Sequence, residues 1–316
     1  KGIWPDAPAG IYSAGLKRKQ ISARILFGTI QSLHKKAYKI QQCDMILIDE
    51  CHLIPRKSNT MYRRFLDELL TINPHLKIIG FTATPYRVDS GELTHGDESL
   101  FTDIAHETPV KELIDAGYLS RPISPKSASD GFQIDTTGIK TAMGDFMAGQ
   151  LEVPAMEPEA IRAVVEKVIE SGANRQGWLI FGVTVKHCKM LIDEFRARGI
   201  SCDGIFGDTE NRGQIIDDYK ARKIKCLVSQ GVLTTGFNAR HVDLIALARP
   251  TKSTGLYVQM VGRGTRLSPE TGKENCLVLD FGGNIARHGP FDDPVPPKNK
   301  TQGKGKADPL VKYCPE

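Results

Sequence analysis

Long apolar runs are missing from this 316-residue sequence: none approaches the roughly 20 residues needed to cross a bilayer. The start of the chain also shows no charged-then-apolar leader, so membrane and secretory readings are set aside. A disulfide framework is excluded too. The seven cysteines, at 43, 51, 188, 202, 226, 276 and 314, are scattered, odd in number and mostly inside apolar runs. Such thiols suit a reducing, cytoplasmic compartment. Acidic residues are scarce near the start. Residues 1–40 hold eight basic residues (Lys1, Lys17, Arg18, Lys19, Arg24, Lys35, Lys36, Lys39) against Asp6 alone. A skew of that kind suits a polyanionic partner.

What is present is ordinary for a globular protein: 40% hydrophobic and 25% charged residues, which excludes a disordered or fibrous chain. The length predicts two domains. Short β-branched runs alternate with amphipathic stretches, the pattern of βαβ units with a parallel sheet. Strands are expected at 24–29, 45–49, 77–82, 178–183, 201–206, 226–229, 244–248 and 276–280. Several are apolar nearly throughout, as strands buried on both faces should be. Helices are expected at 161–171, 186–198 and 212–223, where apolar residues recur at three and four spacing. The fold class is therefore α/β, with lobes at 1–120 and 155–290. A connector without period spans 121–154, and a polar tail rich in Pro, Lys and Gly spans 291–316.

The chemistry concentrates in three blocks. Met45-Ile46-Leu47-Ile48 runs into Asp49-Glu50-Cys51-His52, placing two carboxylates where ligands bind in open α/β sheets. Phosphoryl transfer needs one carboxylate for a magnesium ion and another for the attacking water, and this pair can supply both. A second apolar run, 76–81, leads into Thr82-Ala83-Thr84, offering two hydroxyls beside the first strand end. The third block is Gln259-Met260-Val261-Gly262-Arg263-Gly264-Thr265-Arg266. Three-residue spacing puts Arg263 and Arg266 on one helical face. The glycines at 262 and 264 point to close approach by a ligand or another backbone.

These blocks, in this order, resemble motifs II, III and VI of the superfamily 2 helicases and translocases. Ile11-Tyr12-Ser13-Ala14-Gly15-Leu16, Gly28-Thr29-Ile30-Gln31-Ser32-Leu33 and Leu233-Thr234-Thr235-Gly236-Phe237-Asn238 further resemble the bacterial RadD-like DNA repair ATPases. The resemblance implies two RecA-like lobes, the first incomplete, and an ATP hydrolase that moves on nucleic acid. It implies that Asp49 organises Mg2+ through water and that Glu50 activates the attacking water. His52 would couple to nucleic acid or to Gln259, through Thr82 and Thr84. Arg263 and Arg266 would act as fingers on the phosphates, with Gly236 and Asn238 near the nucleotide sugar. Thr29, Gln31, Ser32, Thr184, Ser229 and Thr234 would touch the phosphate backbone of single-stranded or forked DNA, with single-strand-binding or recombination proteins as further partners.

One departure stands out: no G-x-x-x-x-G-K-[ST] phosphate loop occurs in the 316 residues. Lys1 is not a methionine, and Tyr313-Cys314-Pro315-Glu316 would open a Cys-x-x-Cys pair, so the sequence is expected to be part of a longer protein. On that reading the full protein hydrolyses ATP and this portion alone does not, and zinc belongs only to a C-terminal continuation. Alternatives are an RNA helicase, the motor subunit of a restriction system, and a nucleic-acid-binding module without ATPase activity.

Overall fold

The computed structural model describes residues 4–56, 59–87, 91–96, 99–125, 131–142, 144–231, 233 and 237–294. The chain forms two compact units, 1–87 with 92–105 and 88–91 with 106–316. Thr234, Gly236 and the tail from residue 295, including Cys314, lie outside the described residues. No helix among the described residues is long and apolar enough to cross a membrane.

In the first unit the elements are β1 (Ala9–Ser13), β2 (Arg18–Lys19), β3 (Ile25–Gly28), α1 (Ile30–Leu33), α2 (Ala37–Ile40), β4 (Met45–Ile48), α3 (Met61–Ile72) and β5 (Lys77–Gly80). These strands pair as β2-β1-β3 and as β4-β5, with β1/β3 and β4/β5 parallel. Helix α3 starts at Thr60, whose hydroxyl accepts the Arg63 N–H, and buries Phe65, Leu66 and Leu69. These residues pack with Ile48, Leu33 and Ile46 in one core. Burial on both faces, expected for strands so apolar, is not what this unit shows. Met45, Leu47, Ile79 and Phe27 are 51%, 60%, 40% and 62% exposed. Strand side chains alternate, and the described helices of this unit cover one face only.

The second unit contains α4 (Val110–Asp115), β6 (Arg121–Ile123), β7 (Thr141–Ala142), β8 (Asp145–Phe146), α5 (Ala148–Ala155), α6 (Pro158–Ser171), β9 (Gly177–Gly182), α7 (Val185–Ala197), β10 (Cys202–Ile205), α8 (Arg212–Lys220), β11 (Cys226–Ser229), β12 (Val242–Ala248), α9 (Thr254–Gly262), β13 (Asn275–Asp280) and α10 (Asn284–His288). Six strands make one parallel sheet in the order β10-β11-β9-β12-β13-β6. Alternation divides its side chains between two cores. Trp178, Ile180, Val228, Leu244 and Ala246 face α6 and α7, while Leu179, Phe181, Leu227, Ile245 and Leu247 face α8 and α9. Here the strands are buried on both faces, as their composition requires.

The connector without period, 121–154, contributes elements to this unit. Arg121–Ile123 pairs with Asn275–Leu277 as an edge strand, and Leu151 and Ala155 of α5 are buried. A three-residue strand containing Pro122 carries almost no periodic signal, and proline is tolerated there because the strand lies at an edge.

Candidate nucleotide and nucleic-acid sites

The carboxylate pair sits where β4 ends. Asp49 is exposed, and its Oδ1 accepts the Glu50 N–H at 3.0 Å. Glu50 adopts left-handed backbone, φ +50, which ends the strand and starts the 3-10 turn Cys51–Leu53. The backbone ladder continues past the strand ends: Phe81 N–H donates to Ile48 O at 2.8 Å, and Cys51 N–H to Phe81 O at 3.0 Å. That ladder brings the turn beside Thr82. A Cβ on Gly80 would lie 2.6 Å from Cys51 Sγ and 2.6 Å from the Phe101 ring, so only glycine lets the turn settle on β5.

His52 Nδ1 lies 2.9 Å from Thr82 Oγ1 and 3.4 Å from Glu50 Oε2. Thr82 donates its single hydroxyl proton to Thr84 O at 3.0 Å and accepts the Thr84 N–H at 3.0 Å. With a proton on Nδ1 the imidazole donates to Thr82 Oγ1 while facing the Glu50 carboxylate. Aspartate, glutamate, histidine and both threonines thus form one connected network, with Thr84 buried beneath it.

Thr29, Gln31 and Ser32 gather at the carboxyl end of the β1/β3 pair. Thr29 and Gln31 are exposed, and Thr29 Oγ1 donates to Ser32 Oγ at 3.1 Å. Ser32 Oγ in turn accepts the Ala14 N–H at 3.2 Å, joining the 11–16 and 28–33 segments. A Cβ on Gly28 would crowd Leu33 Cδ1 at 2.5 Å, which explains the glycine.

In the second unit the predicted residues fall into two places. Thr184 and Ser229 lie at the carboxyl ends of β9 and β11, adjacent parallel strands. Thr184 caps α7, its hydroxyl accepting the His187 N–H at 3.1 Å. Ser229 is fully buried, and its hydroxyl donates to Ile205 O at 3.1 Å. Its side chain thus serves the β10/β11 pairing.

The arginines lie elsewhere, over the start of β13. Helix α9 stops at Gly262, so Arg263 and Arg266 do not share a helical face. A turn brings them together instead. Arg263 Nη1 donates to Phe237 O at 2.9 Å, and Arg266 Nη1 to the same oxygen at 2.5 Å and to Asn238 Oδ1 at 2.9 Å. Gln259 lies one turn back on α9, half-buried. Burial lowers the Arg266 guanidinium from its ordinary range. Gly264 meets protein, as its missing Cβ would press on Cys276 Sγ and on Ile245 Cγ1 at 2.9 Å, whereas a Cβ on Gly262 would meet nothing within 4 Å.

Lys273 was not singled out by any motif, yet it holds this turn. Its Nζ donates to Gly264 O at 2.6 Å, Arg266 O at 2.7 Å and Arg240 O at 3.4 Å, and burial pushes its pKa down. An ammonium has three protons, and three carbonyls receive them. The Arg240 guanidinium reciprocates by donating to Leu267 O at 2.7 Å.

The chemistry of the carboxylates fits magnesium held in part by phosphates. No group of three or more His, Cys, Asp and Glu residues gathers as a metal cage among the described residues. Exposed Asp49, with Glu50 beside it, is the hard-oxygen pair that magnesium takes when waters and phosphates fill the remaining positions.

Comparison with known proteins agrees with this division of the chain. Residues 159–268 match the helicase conserved C-terminal domain, and residues 5–87 match the type III restriction enzyme, res subunit, family. A protein assigned as an ATP-dependent helicase, IRC3 of Saccharomyces cerevisiae, is 30% identical over 292 residues, covering 89% of this chain and 40% of that one. A protein assigned as a mitochondrial ATP-dependent helicase, irc3 of Schizosaccharomyces pombe, is 30% identical over 257 residues, covering 79% and 40%. The chain therefore spans 40% of the length of these curated relatives. The fragment structure assigned to an HsdR subunit of a type I restriction enzyme from Vibrio vulnificus YJ016 shares the fold, with TM-score 0.63 and 20% identity over 94% of this chain and 54% of that one. The parallel α/β sheets described above share the fold of RecA-like domains.

Proposed function

We propose, from the premise that this chain belongs to the superfamily 2 helicases, that it supplies the core of an ATP-driven DNA helicase or translocase serving DNA repair or recombination. The observation that carries the reading is the His52–Thr82 bond at 2.9 Å beneath two adjacent carboxylates at a strand end. A water-activating base has to be coupled to whatever reports the bound strand, and this network connects the base to a second segment by one hydrogen bond.

In this reading Glu50 takes the proton of the attacking water. Asp49 would hold Mg2+ through water, and the ion would supply positive charge to the phosphates. Arg263 and Arg266 turn from Phe237 O toward the transferring phosphoryl group, and Asn238, released from Arg266, faces the sugar. His52 couples the site to nucleic acid or to Gln259. Thr29, Gln31, Ser32 and Thr184 position the phosphate backbone of single-stranded or forked DNA without reading sequence. Single-strand-binding or recombination proteins are the fitting partners. The six described cysteines are all free thiols, which fits a cytoplasmic protein.

A restriction-system motor is the second reading, favoured by the match of residues 5–87 to the restriction family. The test is ATP turnover by the full gene product with single-stranded DNA, duplex DNA and RNA. Stimulation by single-stranded DNA is expected, stimulation by RNA alone redirects the motor to RNA, and stimulation by none removes the motor. The 316-residue chain, which contains no phosphate loop, stays at background.

A further inference from the structure

The turn between β1 and β2 presents a rigid, basic tip that no role assigned so far uses. Tyr12 pairs with Lys19 and Ser13 with Arg18, and the connection closes with Lys17 N–H donating to Ala14 O at 3.1 Å. Its base is locked from both sides. Gln20 N–H donates to Ile11 O at 3.0 Å, and Ile11 N–H to Gln20 Oε1 at 3.1 Å. A Cβ on Gly10 would lie 2.6 Å from Ala23 Cβ, so the strand is pressed against the returning chain. The tip is held by Ser32, which accepts the Ala14 N–H. Lys17 sits at φ +50, a backbone that a non-glycine residue keeps only when its surroundings hold it there.

What this frame displays is charge with one apolar point. Leu16 is 64% exposed at the tip, and Lys17, Arg18 and Lys19 are all exposed. None of the three cations forms an ion pair among the described residues, and the only acid within residues 1–40 is Asp6. Residues opposite one another in an antiparallel pair share a face, so Arg18 lies on the face of Ser13 and Lys19 on that of Tyr12. Unneutralised cations attract phosphates. An exposed leucine at a stiff tip can pack against an unstacked base.

We propose that this hairpin is a second nucleic-acid contact, in which Lys17 and Arg18 hold phosphates and Leu16 packs against a base of the strand positioned by Thr29, Gln31 and Ser32. The proposal rests on the functional reading above and extends its surface beyond the hydroxyl and amide donors.

Fluorescence anisotropy with a labelled single-stranded DNA oligonucleotide, over a salt series and with the 316-residue chain, tests it. Lys17→Ala/Arg18→Ala is expected to weaken binding roughly tenfold near 0.1 M salt and to reduce the slope of log affinity against log salt by about 1.4, the value for two single-strand phosphate contacts. Leu16→Ser is expected to weaken binding about three- to tenfold with the slope unchanged. Lys17→Arg/Arg18→Lys keeps the parent affinity, and Lys140→Ala/Lys220→Ala, an equal loss of charge on exposed second-unit positions, changes it by less than about twofold. Parent-like affinity in either hairpin variant, or an equal loss in the Lys140/Lys220 control, overturns the hairpin contact while leaving the functional reading in place. A parent chain that binds no oligonucleotide overturns both.

Discussion

Thr82 Oγ1 stands 2.9 Å from His52 Nδ1 and also bonds the Thr84 backbone, so one hydrogen bond links the two motifs. Glu50 Oε2 lies 3.4 Å from the same ring nitrogen.

Removing the Thr82 hydroxyl should uncouple turnover from nucleic acid. In the full gene product, Thr82→Val keeps the shape and loses the acceptor, a change of about 1 to 1.5 kcal/mol. Stimulation of ATP turnover by single-stranded DNA is expected to fall by up to about tenfold, with oligonucleotide affinity retained and stimulation restored in Thr82→Ser. Steady-state turnover with and without DNA measures it.

Lys273→Met removes all three donors from the arginine turn and leaves the Gly264 and Arg266 carbonyls without their partner. A stability loss of about 1 to 3 kcal/mol is expected, read by urea denaturation of the 316-residue chain. In the full gene product kcat should fall more than the KM for ATP rises, because the lysine positions Arg263 and Arg266 rather than meeting substrate.

The two motif glycines should separate cleanly. Gly264→Ala forces a methyl against Cys276 and Ile245 and is expected to cost about 1 to 3 kcal/mol. Gly262→Ala places its methyl in open space at the end of a helix and is expected to be neutral or stabilising by up to about 1 kcal/mol. Thermal melting of the two variants distinguishes these outcomes.

Acid should destabilise the second unit through His187. The ring is 1% exposed, its Nδ1 accepts the Val183 N–H at 3.1 Å, and burial lowers its pKa to about 4 from an ordinary 6.5. Between those values the unfolded chain binds a proton that the folded chain refuses, so this stability is complete above the ordinary value and is lost as pH falls through 6.5 toward 4. The loss amounts to about 3 kcal/mol at most. His187→Asn keeps an acceptor for Val183 N–H and should flatten melting temperature against pH across that window.

The second unit was legible because its strands are apolar on both faces and its helices carry three and four spacing, as in Trp178–Phe181 and Leu191–Phe195. Strand ends were read one or two residues long at Asp49 and Thr82, because a left-handed residue or a hydroxyl bond, not hydrophobicity, decides where pairing stops. The carboxylates, His52 and the threonines could be read because their chemistry is local. Arg263 and Arg266 could be named from sequence, but their convergence on Phe237 O depends on a turn held by Lys273, and nothing in the spacing marks that lysine. Ser229 shows the converse limit: a hydroxyl at a strand end looks the same in sequence whether it faces a ligand or a neighbouring carbonyl.

The most direct test of the central claim is DNA-stimulated ATP turnover by the full gene product carrying Glu50→Gln, measured beside its oligonucleotide affinity and melting temperature. Loss of turnover by at least a hundredfold, with affinity and melting temperature within error of the parent, is the predicted result. Turnover at the parent rate, or a variant that no longer folds, would contradict the assignment of Glu50 as the base that activates water.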